Sequence, residues 1–201
     1  MNLTTAILHL QKDPALKTVL ETTRLPDHSP SGNVYFDLLD SIVSQQLSGK
    51  AAATIFNRFC DLFPERYPHP DILAVIDHDL LRSAGLSNQK ATYLRNVALY
   101  AKENEMGAHN WPNKSDKEII DELTSIKGVG QWTVEMILIF TLGRPDIFPV
   151  DDLGIQQAMV RLFSLSEQGR QLKLRMIEIA EPWRPYRSLA TRYLWRWKDT
   201  V

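Results

Sequence analysis

Two glycines and a pair of aspartates are the residues of this chain whose types and spacing indicate chemistry. Gly128 and Gly130 separate two helical runs, and Asp151-Asp152 follows a break after the second run. Glycine permits positive φ and close backbone approach, so the amides that open the second helix can point at an anion such as a phosphate. Taken alone, two glycines at this spacing more often mark an ordinary helical corner, and aspartates before a helix most often cap it.

The elements that must position these residues are predicted to be helices, because apolar residues recur at helical spacing and no strand-like alternation is present. Ser48 is predicted to cap the helix that starts at Lys50. Apart from the pair of helices around the glycines, the predicted helices cover 3–10, 14–22, 34–46, 50–63, 71–76, 79–84, 88–104, 153–163, 168–180 and 184–198.

Composition sets the class of protein. The chain has 201 residues and a net charge of −1, which argues against a broad basic surface. The segment from Arg161 to Lys198 is nevertheless basic, with nine Lys or Arg against three Glu, either to face phosphates or as a solvated helix face. No apolar run approaches the roughly 20 residues that span a bilayer, and no signal-peptide pattern opens the chain. We therefore expect an intracellular protein of the cytoplasm and nucleoid, or of a nucleus, without membrane contact.

Several motifs in order resemble the helix-hairpin-helix DNA glycosylase superfamily. They are the Gly-x-Gly turn within Leu123–Met136, the breaking segment Gly143-Arg144-Pro145, and Phe148-Pro149-Val150-Asp151-Asp152. The likeness covers about 34–197 and is strongest to the AlkA-like DNA-3-methyladenine glycosylase II branch. It implies an all-α fold, a compact two-lobe helical bundle with the DNA-binding cleft between its lobes. One lobe is expected to comprise about 1–33 and 111–201, with the hairpin 123–136 and the catalytic aspartate, and the other about 34–110, with a loop at 44–48.

The resemblance implies a monofunctional DNA glycosylase that excises alkylated purines from duplex DNA in base excision repair. Its catalytic carboxylate caps a helix and has an apolar residue three positions on. Asp152 with Ile155 satisfies this register, whereas Asp151 would put Gly154 there, so Asp152 is the predicted catalytic residue and Asp151 a neighbouring carboxylate. Aligning Pro149-Val150-Asp151 with relatives that carry Pro-Val-Asp makes Asp151 the alternative.

Aromatic residues are expected to hold the extruded base. Bifunctional relatives carry a Schiff-base lysine two places after the second hairpin glycine, and this chain has Trp132 there, which implies a monofunctional enzyme. Trp132 and Trp195 are the implied walls of a pocket for an electron-poor base. Met136, the third expected pocket residue, stands where the bacterial enzyme that gives the AlkA-like branch its name has an aromatic residue. By composition alone, any one tryptophan is more often part of the core.

The loop Ser44-Gln45-Gln46-Leu47-Ser48 resembles the family's wedge, which fills the gap left by a flipped base. Register assigns the wedge to Gln46, with Leu47 as the alternative, although the loop also suits a polar helix end. Backbone contacts to the duplex are expected from Lys127, the two hairpin glycines, Gln131 and Lys90. For Lys90, a plain surface lysine is the competing interpretation.

No cofactor is required by the implied chemistry. The carbonyls of Thr124, Ile126 and Val129 match the position where hairpins of this kind hold Na⁺ or K⁺. The single cysteine, Cys60, excludes the four-cysteine iron–sulfur cluster of other relatives, and the five histidines are scattered.

The expected partner is double-stranded DNA with alkylated bases, bound by a monomer. A non-catalytic helix-hairpin-helix DNA-binding module is the competing hypothesis, and a thymine or adenine glycosylase is a third. Residue types do not separate 3-methyladenine from 7-methylguanine, ethenoadenine or hypoxanthine as the lesion, since pocket shape sets that choice.

Overall fold

The computed structural model of the chain describes residues 2–47 and 49–200, and every regular element in these ranges is helical. The predicted all-α fold class is therefore confirmed. Ser48, the predicted helix cap, lies outside the described residues. Among the residues described, no helix combines the length and the apolar content that crossing a bilayer needs.

Twelve α-helices are found in the described ranges, and their starts are set by caps that the sequence carries. Asn2, Asp13, Asn33, Ser87 and Ser115 each accept a backbone amide of the following first turn through the side chain. The helices are α1 (Leu3–Leu10), α2 (Pro14–Thr22), α3 (Val34–Ser44), α4 (Gly49–Cys60), α5 (Pro70–Leu73), α6 (His78–Ser83), α7 (Asn88–Glu103), α8 (Asp116–Thr124), α9 (Gln131–Met136), α10 (Leu153–Phe163), α11 (Gly169–Ala180) and α12 (Arg187–Lys198).

Short helical turns of other kinds complete the described elements. Helix α9 runs directly into a π-helical segment, Ile137–Thr141. Three 3₁₀ turns cover Pro64–Arg66, Ala108–Asn110 and Glu181–Trp183.

The chain divides into two compact units. The first contains residues 2–29 and 138–200, so α1 and α2 join the last three helices. Helix α12 packs against α10 and α2. Trp183 is buried there and donates its indole N–H to Asp13, the residue that caps α2, at 2.9 Å. The hydrophobic core of this first unit includes Leu10, Leu16, Ile155, Met159, Trp183 and Leu194.

The second unit contains residues 30–137 and is built around α7, which packs against α3, α5 and α6. Helix α3 also packs against α4 and α9, and α8 packs against α9. Fully buried side chains in this unit include Leu38, Leu39, Ile42, Phe59, Leu73 and Leu94.

The boundary between the units differs from the predicted one. The hairpin 123–136 was expected with the segment that carries Asp152, but it belongs to the unit 30–137. The physical reason is packing: α9 lies against α3, and Asn96 of α7 donates its side-chain amide to the carbonyl of Lys127 at 2.9 Å.

Candidate active site

The hairpin turn depends on one of its two glycines. Gly128 has a φ of +108°, and a Cβ added there would lie 2.2 Å from Cγ of Tyr93, so both the backbone angle and the ring beneath require glycine. Gly130 has a φ of −94°, and a Cβ there would meet nothing within 4 Å. The expectation of positive φ holds for Gly128 and is wrong for Gly130. What Gly130 supplies instead is an uncovered backbone at the start of α9.

The polar residues that flank the turn lie at the surface. Lys127 and Gln131 are both exposed. Gln131 donates its side-chain amide to Oε1 of Glu135 at 3.0 Å, and Glu135 is only 6% exposed. One of the two amide hydrogens of Gln131 is thus engaged within α9, and the residue stays accessible from outside.

Lys90 does not extend into solvent. Its ammonium donates to the carbonyls of Val43 and Gln45, each at 2.7 Å, and burial lowers the pKa of the Lys90 side chain. Two of the three N–H donors of Lys90, the predicted DNA-backbone contact, are thus engaged by carbonyls inside the unit. The carbonyls at the end of α3 have no partner further along that helix, and the lysine satisfies them.

The loop after α3 forms a tight turn with an unusual residue at its tip. Ser44 accepts the amide of Leu47 at 3.2 Å, Gln45 has φ −51° and ψ 130°, and Gln46 has a φ of +60°. These angles match a type II turn, whose third position normally requires glycine or asparagine. The left-handed conformation costs a non-glycine residue about 1 kcal/mol. Helix α3 therefore ends at Ser44 rather than at the predicted 46.

The predicted wedge residues stand at this tip. Gln46 is exposed and Leu47 is 38% exposed. Gln45 points the other way and donates its amide to the hydroxyl of Thr133 on α9 at 3.4 Å. A hollow of about 620 Å³ adjoins the loop; it is lined by Asp40, Ser41, Ser44, Gln45, Gln46, Leu47 and Trp132.

Trp132 is 42% exposed and faces this hollow, so it is not a core residue. Met136, one helical turn further on, is half-buried. Among the described residues of the second unit, the structure therefore brings Trp132 together with the predicted wedge.

Asp152 caps α10, as its register predicts. Its Oδ1 accepts the amide of Ile155 at 2.8 Å and the indole N–H of Trp195 at 2.8 Å. Trp195 is half-buried on α12. Two donors from separate helices thus fix the orientation of one carboxylate, and its negative charge lies at the positive end of a helix dipole.

Gly154 permits this arrangement, and the sequence reasoning did not identify it as a site residue. A Cβ at Gly154 would lie 3.1 Å from Oδ1 of Asp152 and 3.2 Å from Cδ1 of Trp195. The available signal was a glycine inside the first turn of a helix, where it is less favourable than alanine by about 1 kcal/mol.

Asp151 differs from its neighbour. Its carboxylate forms an ion pair with Lys173 of α11, and its side chain is 54% exposed. The two adjacent aspartates therefore have separate environments, one paired with an ammonium and one held by neutral N–H donors.

Trp195 has an aromatic neighbour on its own unit. Its ring stacks on Phe140 with centroids 5.8 Å apart, and Nε2 of His28 donates to the carbonyl of Phe140 at 2.8 Å. A pocket of about 280 Å³ lies here, lined by Leu25, Pro26, Asp27, His28, Phe140, Arg192, Trp195, Arg196 and Asp199. Burial lowers the pKa of Arg192.

Many charges of the basic segment 161–198 are paired within its own unit. Arg184 and Arg187 both bind the carboxylate of Asp146, each with a contact of 2.6 Å. Further ion pairs join Arg175 to Glu178 and Lys198 to Asp199. These pairs favour the interpretation of a solvated, internally paired helix face over a broad cationic patch.

Comparison with known proteins agrees with this geometry. The model of the HhH-GPD superfamily of base excision DNA repair proteins matches residues 39–185. DNA-3-methyladenine glycosylase 1 of Schizosaccharomyces pombe is 35% identical over 164 residues, covering 81% of this chain and 71% of that protein. YfjP of Bacillus subtilis is 35% identical over 82% of this chain, which spans 58% of its length.

Solved structures give the same result. The S. pombe 3-methyladenine DNA glycosylase Mag1, solved in complex with abasic DNA, superposes with a TM-score of 0.83 at 33% identity and 95% coverage of both chains. A DNA-3-methyladenine glycosidase from Bacillus halodurans gives a TM-score of 0.82 at 32% identity, covering 96% of this chain and 88% of that one. The resemblance read from the hairpin and the aspartate motif is confirmed, and the chain belongs to the HhH-GPD superfamily of base excision DNA repair proteins.

Proposed function

We propose that this chain is a monofunctional DNA glycosylase that removes alkylated purines, 3-methyladenine and 7-methylguanine among them, from duplex DNA in base excision repair. The observation that carries the proposal is the carboxylate of Asp152, held at the N-terminus of α10 by Ile155 and Trp195. The names of the relatives support the lesion class, and the complex of Mag1 with abasic DNA supports DNA as the partner. The proposal includes binding of duplex DNA by a monomer.

The reaction needs a fixed anion more than it needs a strong acid. Alkylation at N3 or N7 makes the purine cationic, so the base leaves with the electron pair of the C1′–N bond and the sugar becomes oxocarbenium-like. Asp152 stabilises that positive charge and orients the attacking water, whose oxygen bonds to C1′ while its proton passes to the Asp152 carboxylate and from there to solvent. The products are the free base and an abasic site. Two fixed donors on Oδ1 reduce the reorganisation that this step would otherwise require.

Aromatic side chains supply the recognition of an electron-poor base. Trp132 is exposed enough to stack on a flipped base, and it occupies the place of the Schiff-base lysine of bifunctional relatives, so strand cleavage is not expected. Trp195 has a second role besides stacking, since its N–H is committed to Asp152. Met136 places a thioether where an aromatic ring would add a further stacking surface for the base.

Contacts to the duplex are assigned to the hairpin and the turn after α3. The uncovered amides at Gly130 and the exposed Lys127 and Gln131 suit one phosphodiester. Gln46, or Leu47 beside it, suits the gap that an extruded base leaves.

The hairpin carbonyls suit a monovalent cation. The amide of Val129 closes the turn on the carbonyl of Ile126 at 2.9 Å, and Thr124 ends α8 two residues before Ile126. A carbonyl oxygen can accept a second partner, so these residues fit Na⁺ or K⁺. A bound ion would fix the hairpin and would take no part in breaking the glycosidic bond.

Base release from methylated duplex DNA tests the proposal. Wild type and Asp152→Asn are compared, with strand breaks scored before and after hot alkali. Release by wild type alone, with breaks only after alkali, is the expected result. Breaks without alkali would exclude a monofunctional enzyme. Binding of the duplex with no base released by wild type would overturn the proposal in favour of a DNA-binding module or another lesion.

A further inference from the structure

Lys90 has a position that the contacts proposed above do not use. It lies in the first turn of α7, yet its ammonium reaches across the unit to two carbonyls of the chain that leaves α3. The carbonyl of Gln45 belongs to the peptide bond that precedes Gln46, which has a positive φ, and the carbonyl of Val43 lies two residues earlier in the chain. One ammonium group therefore binds two carbonyls of the segment that leads from α3 into the turn at Gln46.

The turn has few other restraints among the described residues. The amide of Leu47 donates to Ser44 at 3.2 Å, and the side chain of Gln45 reaches Thr133 at a marginal 3.4 Å. A non-glycine residue in the left-handed region persists only where its surroundings enforce it. Hydrogen bonds from an ammonium are the strong ones of this set, about twice as strong as neutral ones.

We propose that Lys90 is a positioning residue for the wedge: by clamping the carbonyls of Val43 and Gln45, it holds Gln46 and Leu47 extended toward the gap in the duplex. The inference rests on the proposed glycosylase function. It replaces the expectation of a direct phosphate contact, because the ammonium is committed to carbonyls inside the unit.

The contribution of the wedge to excision should increase with the free energy needed to flip the base out of the duplex. Unstacking and unpairing a base costs least for a mismatched one, so a poorly held wedge should impair excision from a normal pair more than from a mispair. Lys90→Met keeps the length of the side chain and removes the donors. We expect it to slow single-turnover excision about tenfold for a paired lesion and less than threefold for the same lesion in a mispair.

A double-mutant cycle separates positioning from general damage. In a Gln46→Ala/Leu47→Ala background the wedge is gone, so adding Lys90→Met should have no further effect. Independent, multiplying losses in this cycle would overturn the proposal, as would wild-type excision by Lys90→Met. Lys90→Arg, which retains the charge and the donors, should stay within about threefold of wild type. If Lys90→Met does not fold, the same measurements are made on Lys90→Gln, which retains one amide group as a donor. Lys117→Met, an exposed lysine of α8 paired with Asp121, is the control.

Two further readouts decide between roles. A lost phosphate contact lowers the slope of log Kd against log salt by about 1, whereas a lost clamp leaves that slope unchanged, so a reduced slope would overturn the proposal. Hydrogen exchange at the Leu47 amide needs no activity: Lys90→Met should speed it about tenfold, and unchanged protection would refute the clamp. If wild type releases no base, the proposed function is wrong. The exchange measurement then still tests whether Lys90 restrains the turn at Gln46.

Discussion

Replacing Trp195 by phenylalanine isolates the hydrogen bond to the catalytic carboxylate. The substitution deletes the indole N–H that Oδ1 of Asp152 accepts at 2.8 Å and retains a ring that can stack on Phe140. If Trp195 acted only as a wall for the base, Trp195→Phe would preserve much of its role. If it positions Asp152, Oδ1 loses one of its two donors, retains the amide of Ile155, and the carboxylate gains rotational freedom.

The magnitude follows from the kind of bond. A hydrogen bond to a charged group contributes about 1.5–3 kcal/mol, which corresponds to about 10–150-fold in rate when fully expressed in the transition state. Trp195 is half-buried, so water can replace part of the lost donor. We therefore expect the single-turnover excision rate to fall about tenfold, with the free energy of unfolding changed by no more than about 1 kcal/mol.

Single-turnover release of 7-methylguanine from duplex DNA is the assay, with Kd for duplex DNA that contains an abasic site measured in parallel. The reasoning requires a lower rate with an almost unchanged Kd, and no additional loss when Trp195→Phe is combined with Asp152→Asn. A rate within twofold of wild type would refute the positioning role. So would a loss that multiplies with that of Asp152→Asn.

Three glycine substitutions and one aspartate variant test the remaining geometry. Gly128→Ala should lower the free energy of unfolding by about 2–5 kcal/mol, because of its φ of +108° and the tyrosine ring 2.2 Å from the added Cβ. Gly130→Ala, with open space around the new Cβ, should change it by less than about 1 kcal/mol; thermal unfolding of both checks this, and equal losses would contradict it. Gly154→Ala should slow excision about 2–10-fold without loss of stability, because its Cβ crowds the Asp152 carboxylate; a normal rate would show that the crowding is relieved cheaply. Asp151→Asn should keep excision within about threefold of wild type, since Asp151 only pairs with Lys173 at the surface; a loss as large as that of Asp152→Asn would reverse the assignment of the two aspartates.

Local features of the fold were predictable because their causes are local. Asn33, Ser87 and Ser115 cap helices at the positions where the sequence places a cap before an apolar run. The same logic placed Asp152 at the start of α10 from its spacing to Ile155. Each depends on residues within one helical turn, which periodicity can reveal.

The remaining features depend on long-range pairs that periodicity does not contain. Trp195 donates to a carboxylate 43 residues earlier in the chain, and Lys90 binds a carbonyl 47 residues earlier. The hairpin belongs to the unit 30–137 because α9 packs on α3. The apolar pattern of neither helix predicts which helix it packs against. Sequence alone therefore identified Lys90 as a cation beside a turn but could not assign the direction of its side chain.

The two units use the same physical device to prepare a group for the proposed reaction. In one, a tryptophan N–H holds the carboxylate of Asp152; in the other, the ammonium of Lys90 holds the turn that presents Gln46. Each donor lies on a helix distant in sequence from the group that it holds, so the packed core of each unit restricts the motion of that group. Loss of either donor removes orientation and leaves the core intact. Activity should consequently be more sensitive than stability at Trp195 and Lys90, and the opposite should hold at Gly128, where the backbone itself is packed.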